Sequence, residues 1–117
     1  MKKKILVADD DADILFVLKL MLELKGYAVE LADDEEKIYS LAANKPDLLL
    51  LDIWMGNYDG REICQKLKND PSTSSLPVIL ISASGDIEQS AKDAGADDFV
   101  AKPFEQADLL QKIAKHI

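Results

Sequence analysis

Four consecutive leucines, Leu48 to Leu51, lie near the middle of the chain and run directly into Asp52. A strand that is apolar on both faces must be covered on both, which places it inside a parallel sheet flanked by helices. The pattern repeats along the chain. Ile5-Leu6-Val7-Ala8, Ala28 to Leu31, Val78-Ile79-Leu80-Ile81 and Phe99-Val100-Ala101 are further apolar runs of strand length. Segments with helical spacing separate them. Ile14, Val17, Leu18 and Met21 mark a first helix that Gly26 stops. Ile38, Leu41 and Ala42 mark a second, with Asp34-Glu35-Glu36 at its start, where the helix dipole favours negative charge. Ile63, Cys64 and Leu67 mark a third, with Pro71 beyond its end. Ile87, Ala91 and Ala94 mark a fourth, closed by Gly95, and Leu110, Ile113, Ala114 and Ile117 mark the last. Successive β-α units with no linker, repeat or low-complexity tract predict an α/β fold, a doubly wound five-stranded parallel sheet with five helices.

Size and charge narrow the function. At 117 residues, one domain spanning 1–117 uses the whole sequence and leaves room for no second, whether the chain stands alone or is cut from a longer protein. The formal charge of −8 argues against direct nucleic-acid binding and suits a cation site or a basic partner. A single cysteine excludes an internal disulfide and fits a reducing cytoplasm. Lys2, Lys3 and Lys4 resemble the start of a signal peptide, but the following apolar run ends at Asp9, too soon for one. The leucine run is also too short to insert in a membrane.

In a doubly wound sheet, ligands bind beyond the carboxyl ends of the strands. Those ends carry Asp9-Asp10-Asp11, Asp52, Ser82-Ala83 and Lys102-Pro103. Clustered carboxylates resist joint ionisation, and a hard divalent cation relieves the repulsion. Mg²⁺ suits such a set, with Mn²⁺ an alternative. A nearby lysine neutralises phosphate oxygens and a serine hydroxyl donates to them. A carboxylate nucleophile, a metal and a cation are the parts that phosphoryl transfer needs. Asp11 reads as the cap of the first helix and Asp59, with Gly60, as the cap of the third. Cys64 sits on an apolar stripe and reads as core. His116 reads as solvent-facing, and Asp97-Asp98 as a structural turn.

These residues resemble the receiver domain of two-component response regulators. Asp9-Asp10, Leu-Leu-Asp52 followed by Asp59-Gly60, Ser82-Ala83 and Lys102-Pro103-Phe104 carry the resemblance, which extends from Lys4 to about Ile117. It implies a flavodoxin-like sheet in the order 2-1-3-4-5. It implies that Asp52 is the phosphoacceptor, that Asp10 binds the metal directly, and that Asp9 binds it through water. The Trp54 backbone carbonyl would be a further metal ligand. Ser82 would be the switch hydroxyl, Phe99 the switch aromatic, and Lys102 the lysine that pairs with the phosphoryl group. The Lys102-Pro103 bond would be cis. The donor would be a sensor histidine kinase or phosphotransfer protein. The output would pass to a downstream protein or domain through the fourth helix, fifth strand and fifth helix, roughly Ser84 to Lys112; a homodimer is left open. Such a domain is not a conventional enzyme; it catalyses its own phosphorylation and often its own dephosphorylation.

Two positions depart from the family's usual pattern. Gly56 stands where proline is common after Met55, which predicts a more mobile Gly56-Asn57-Tyr58 loop. Trp54 is bulky and adjoins the acceptor, which predicts shielding of an acyl phosphate from water; Ser84 also lines the rim. Rival readings fit less well. A phosphatase with an aspartate nucleophile would want a second acid at position 54, where Trp54 stands. A nucleotide or flavin binder would want a glycine-rich loop after the first strand, where three aspartates stand. A docking-only pseudo-receiver would have lost its acceptor or acidic pair.

Overall fold

The computed structural model describes residues 2–83, 85 and 87–117. In chain order the elements are β1 (Lys4–Ala8), α1 (Ala12–Leu24), β2 (Ala28–Ala32), α2 (Glu35–Ala42), β3 (Leu48–Asp52), β4 (Trp54–Met55), β5 (Tyr58–Asp59), α3 (Gly60–Asn69), β6 (Val78–Ser82), α4 (Ile87–Ala94), β7 (Asp98–Ala101) and α5 (Gln106–His116). Five of the strands form one parallel sheet in the order β2-β1-β3-β6-β7. This is the flavodoxin-like order, with β4 and β5 lying outside the sheet. β3 is central, and all five of its residues are buried.

Side chains alternate along each strand, so the leucine run divides between two cores. Leu49 and Leu51 pack with Leu6, Leu80, Ile38, Ile63, Cys64 and Ala91, beneath α2, α3 and α4. Leu48 and Leu50 pack with Ile5, Val7, Ile79, Leu18, Leu109 and Ile113, beneath α1 and α5. Helix starts are fixed locally. Asp11 caps α1 by accepting from the Asp13 and Ile14 N–H groups, and Asp34 caps α2 through the Lys37 N–H. Gly26 and Gly95 end α1 and α4 at φ +93° and +80°, where a Cβ would be strained. Among the described residues, no helix is long and apolar enough to cross a membrane.

Three expectations are corrected. The inward face of α1 is Leu15, Leu18 and Leu22; Val17 is 59% exposed, and Ile14 and Met21 are only partly buried. The helix is so rich in apolar residues that its spacing fits several stripes, and only its seating on β1 selects one. The Gly56-Asn57-Tyr58 loop is held in an antiparallel hairpin, with Trp54 opposite Asp59 and Met55 opposite Tyr58. Gly56, at φ +55°, makes the turn. Finally, His116 does not face solvent freely: its Nε2 lies 3.0 Å from the Asp98 carboxylate, and 19% of its side chain is exposed. Asp97 has the expected structural role. Its carboxylate accepts from the Val78 N–H at 2.8 Å and from Lys68 at 2.7 Å, tying the start of β6 to α3.

Candidate functional site

The carboxyl ends of β1, β3, β6 and β7 meet at one edge of the sheet. Asp9 follows β1 and is buried; its backbone N–H reaches the Ala32 carbonyl. Its carboxylate accepts from the Asp11 N–H at 3.0 Å and from Lys102 Nζ at 3.3 Å. Asp52 ends β3, is 6% exposed, and lies 3.5 Å from the same ammonium. The nearby Trp54 backbone N–H favours its ionised form. Lys102 is held by its own backbone, which donates to the Ser82 carbonyl at 2.8 Å, and the Lys102-Pro103 peptide is cis. Ser82 is fully buried at the end of β6. Asp10 is exposed beside this cluster.

Burial, reinforced by the charge of Asp9, pushes the Asp52 carboxyl up to about 6, and Lys102 offsets only part of this. The site therefore holds more negative charge than its lysine balances. One oxygen from each of Asp9, Asp10 and Asp52 lies within 4.8 Å of the others. Three hard oxygen donors open to solvent on the Asp10 side fit a divalent cation of the Mg²⁺ class, which retains several waters.

Phe99 is partly buried against the core beneath α4. Lys112, from α5, donates to the Phe99 carbonyl at 2.6 Å and stands 4.7 Å from its ring centroid. Ser84, expected on the rim and at one end of the output face, lies outside the described residues.

Comparison with known proteins identifies the family. The model of the response regulator receiver domain matches residues 5–114. The chain belongs to that family. It is 37% identical over 113 residues to the DNA-binding dual master transcriptional regulator RpaA of Synechocystis, covering 94% of this chain and 47% of that protein. It is 37% identical over 116 residues to response regulator MprA of Mycobacterium bovis, covering 97% of this chain and 50% of that protein. The chain thus spans about half the length of these curated relatives. A CheY-like receiver domain from Methanospirillum hungatei superposes with a TM-score of 0.88 at 31% identity, over 98% of this chain and 93% of that one. As a receiver domain, the chain is a signalling module of two-component systems rather than a classical enzyme.

Two features of the receiver domain escaped the sequence reading. Arg61, at the start of α3, carries its guanidinium 4.9 Å from the centre of the Trp54 ring. The signal was faint: an arginine two residues after a helix-capping aspartate, brought to Trp54 only by the hairpin. The second is a groove of about 540 Å³ between α1 and the segment after β7, lined by Ile14, Val17, Met21, Ala83, Lys102 and Phe104 among others. Phe16, Val17, Leu20 and Leu24 leave the outer side of α1 apolar and exposed.

Proposed function

We propose that this receiver domain is a Mg²⁺-dependent phosphoacceptor switch in which Asp52 takes a phosphoryl group from a phosphohistidine of a sensor kinase or phosphotransfer protein. The observation that carries the reading is the placement of Asp52: buried, beside Lys102, and in a three-carboxylate cluster. Asp10, Asp52 and the Trp54 carbonyl would hold the metal, with Asp9 behind a water. When bound, the metal neutralises the carboxylates and the oxygens of the incoming group.

An Asp52 oxygen attacks phosphorus in line with the donor nitrogen; the new P–O bond forms as the P–N bond breaks, and the electron pair leaves with the imidazole. Lys102 sits where the transferring group gathers negative charge and offsets it. Ser82 then donates its hydroxyl to a phosphoryl oxygen, and Phe99 turns inward behind it. That change biases the face built by α4, β7 and α5 toward an output partner. Trp54, two residues after Asp52 and more than half exposed, stands at the mouth and slows water's return attack. The exposed stripe of α1 adjoins that mouth through Ala83 and Lys102, which suits it to seat a helix of the phosphodonor. A free, buried Cys64 suits a reducing cytoplasm.

Intact mass after incubation with acetyl phosphate and Mg²⁺ tests the reading. A gain of one phosphoryl group, lost with EDTA and in Asp52→Asn, is the expected result. No gain, where a known receiver is modified in the same assay, would leave a docking-only module as the better account. For Trp54, the expected result is faster loss of the phosphoryl group in Trp54→Asn.

A further inference from the structure

We propose that Arg61 is a positioning residue for the lifetime of the phosphorylated state, acting by holding the Trp54 indole at the mouth of the acceptor pocket. The inference rests on the phosphoacceptor reading of Asp52 and goes beyond it in naming what fixes the shield.

The geometry forms a closed loop of contacts. Trp54 and Asp59 are cross-strand partners in the β4–β5 hairpin. Asp59 accepts from two nitrogens of the Arg61 side chain, from Nε at 3.0 and 3.2 Å and from Nη2 at 2.7 Å, an ion pair that sets the guanidinium plane. Asp59 also accepts from the Arg61 backbone N–H, so the start of α3 is fixed by the same carboxylate. The guanidinium then lies 4.9 Å from the Trp54 ring centre. Trp54 is 57% exposed, so the core leaves the ring room to turn, and the guanidinium beside it favours one position. Its neighbours Ile53 and Met55 are buried, which directs Trp54 to the opposite, outer side. Trp54 itself stands two residues beyond Asp52, in the short strand that follows the carboxyl end of β3, which sets it beside the acceptor edge.

Hydrolysis ends the phosphorylated state. A water oxygen attacks phosphorus, the bond from phosphorus to the Asp52 oxygen breaks, and its electron pair returns to the carboxylate. Inorganic phosphate leaves, and a proton passes to solvent. An indole fixed at the mouth removes approach directions from that water; an indole free to rotate removes fewer.

The test is a double-mutant cycle on the dephosphorylation rate, read by intact mass after acetyl phosphate and Mg²⁺ are removed. Arg61→Met keeps the aliphatic stem and lacks the charge. It is expected to lose the phosphoryl group about two- to fivefold faster, the factor matching one exposed cation–π contact. Arg61→Lys, a cation without the fork, is expected to fall between. In the Trp54→Asn background, Arg61→Met is expected to change nothing further. Quenching of the single tryptophan's emission by acrylamide should rise in Arg61→Met, a change that helix stability alone would not produce. An Arg61→Met rate equal to that of the parent overturns the proposal. So does an equal acceleration in the Trp54→Asn background, which would mean that the guanidinium acts on the phosphoryl group directly. A parent that gains no phosphoryl group at all defeats the underlying reading instead, and this inference with it.

Discussion

Asp52 carries a cost that the proposed role would explain. Its folded-state carboxyl titrates near 6, above the ordinary value of 3.8, because it is buried and beside Asp9. A carboxyl raised on folding destabilises the fold when ionised. That penalty is full above about pH 6, shrinks as pH falls through 6, and vanishes below the unfolded value. Without metal, Asp52→Asn should therefore stabilise the protein at neutral pH, by about 3 kcal/mol at most. The gap between variant and parent should close as the pH is lowered toward about 4. Urea denaturation of both proteins across that range checks it; a constant gap would show that Asp52 titrates normally. Gly60 is a second residue with a single physical reason. A Cβ there would collide with the Asp52 carbonyl oxygen, while the Gly60 N–H bonds the Ile53 carbonyl at 2.6 Å. Gly60→Ala should cost about 1–3 kcal/mol in the same assay, since α3 must move away from β3.

Among the elements, α1 has two faces with different tasks. Leu15, Leu18 and Leu22 hold it on the sheet, whereas Val17, Leu20 and Leu24 repeat at the spacing of a helix-packing seam and remain exposed. Apolar exposure of this extent on one helix suits the docking surface proposed for it. Val17→Glu should leave stability within about 0.5 kcal/mol, because the side chain is outside the core. It should slow phosphorylation by a protein phosphodonor at least roughly tenfold, the loss expected of a buried interface contact. Phosphorylation by acetyl phosphate, which needs no docking helix, should be unchanged. Parallel time courses with the two donors separate docking from chemistry. At the other side of the site, Lys112 ties α5 to Phe99 of β7 by a bond to its carbonyl and contact with its ring.

For the whole molecule, the carboxylate-rich edge of the sheet is an electrostatic strain that a ligand can relieve. Asp9, Asp10 and Asp52 lie within reach of one cation, and Lys102 is the ammonium placed among them. Mg²⁺ that binds only the folded chain should raise its stability by mass action, about 2.7 kcal/mol at a hundredfold excess over Kd. Asp10 is exposed and outside the core, so Asp10→Asn should barely alter the melting temperature without metal. It should remove most of the rise that Mg²⁺ produces. Thermal melts with and without Mg²⁺ and EDTA read both effects; an undiminished Mg²⁺ response in Asp10→Asn would place the ion elsewhere.

Much of this was legible from the residues in order. A run such as Leu48 to Leu51 can be satisfied only by burial on both faces, and short local rules set the caps at Asp11 and Asp59 and the stops at Gly26 and Gly95. The strand ends then follow, and with them Asp9, Asp52, Ser82 and Lys102, because a parallel sheet sends all its carboxyl ends to one edge. What only the tertiary structure decided depends on contacts between distant or alternative partners. The apolar residues of α1 fit more than one stripe, so the sheet beneath chose which side is buried. Arg61 meets Trp54 because a hairpin turns at Gly56, and His116 meets Asp98 because α5 returns along β7. Periodicity and capping act over a few residues and are written locally; the placing of one side chain against another depends on how whole elements pack, which no local pattern encodes.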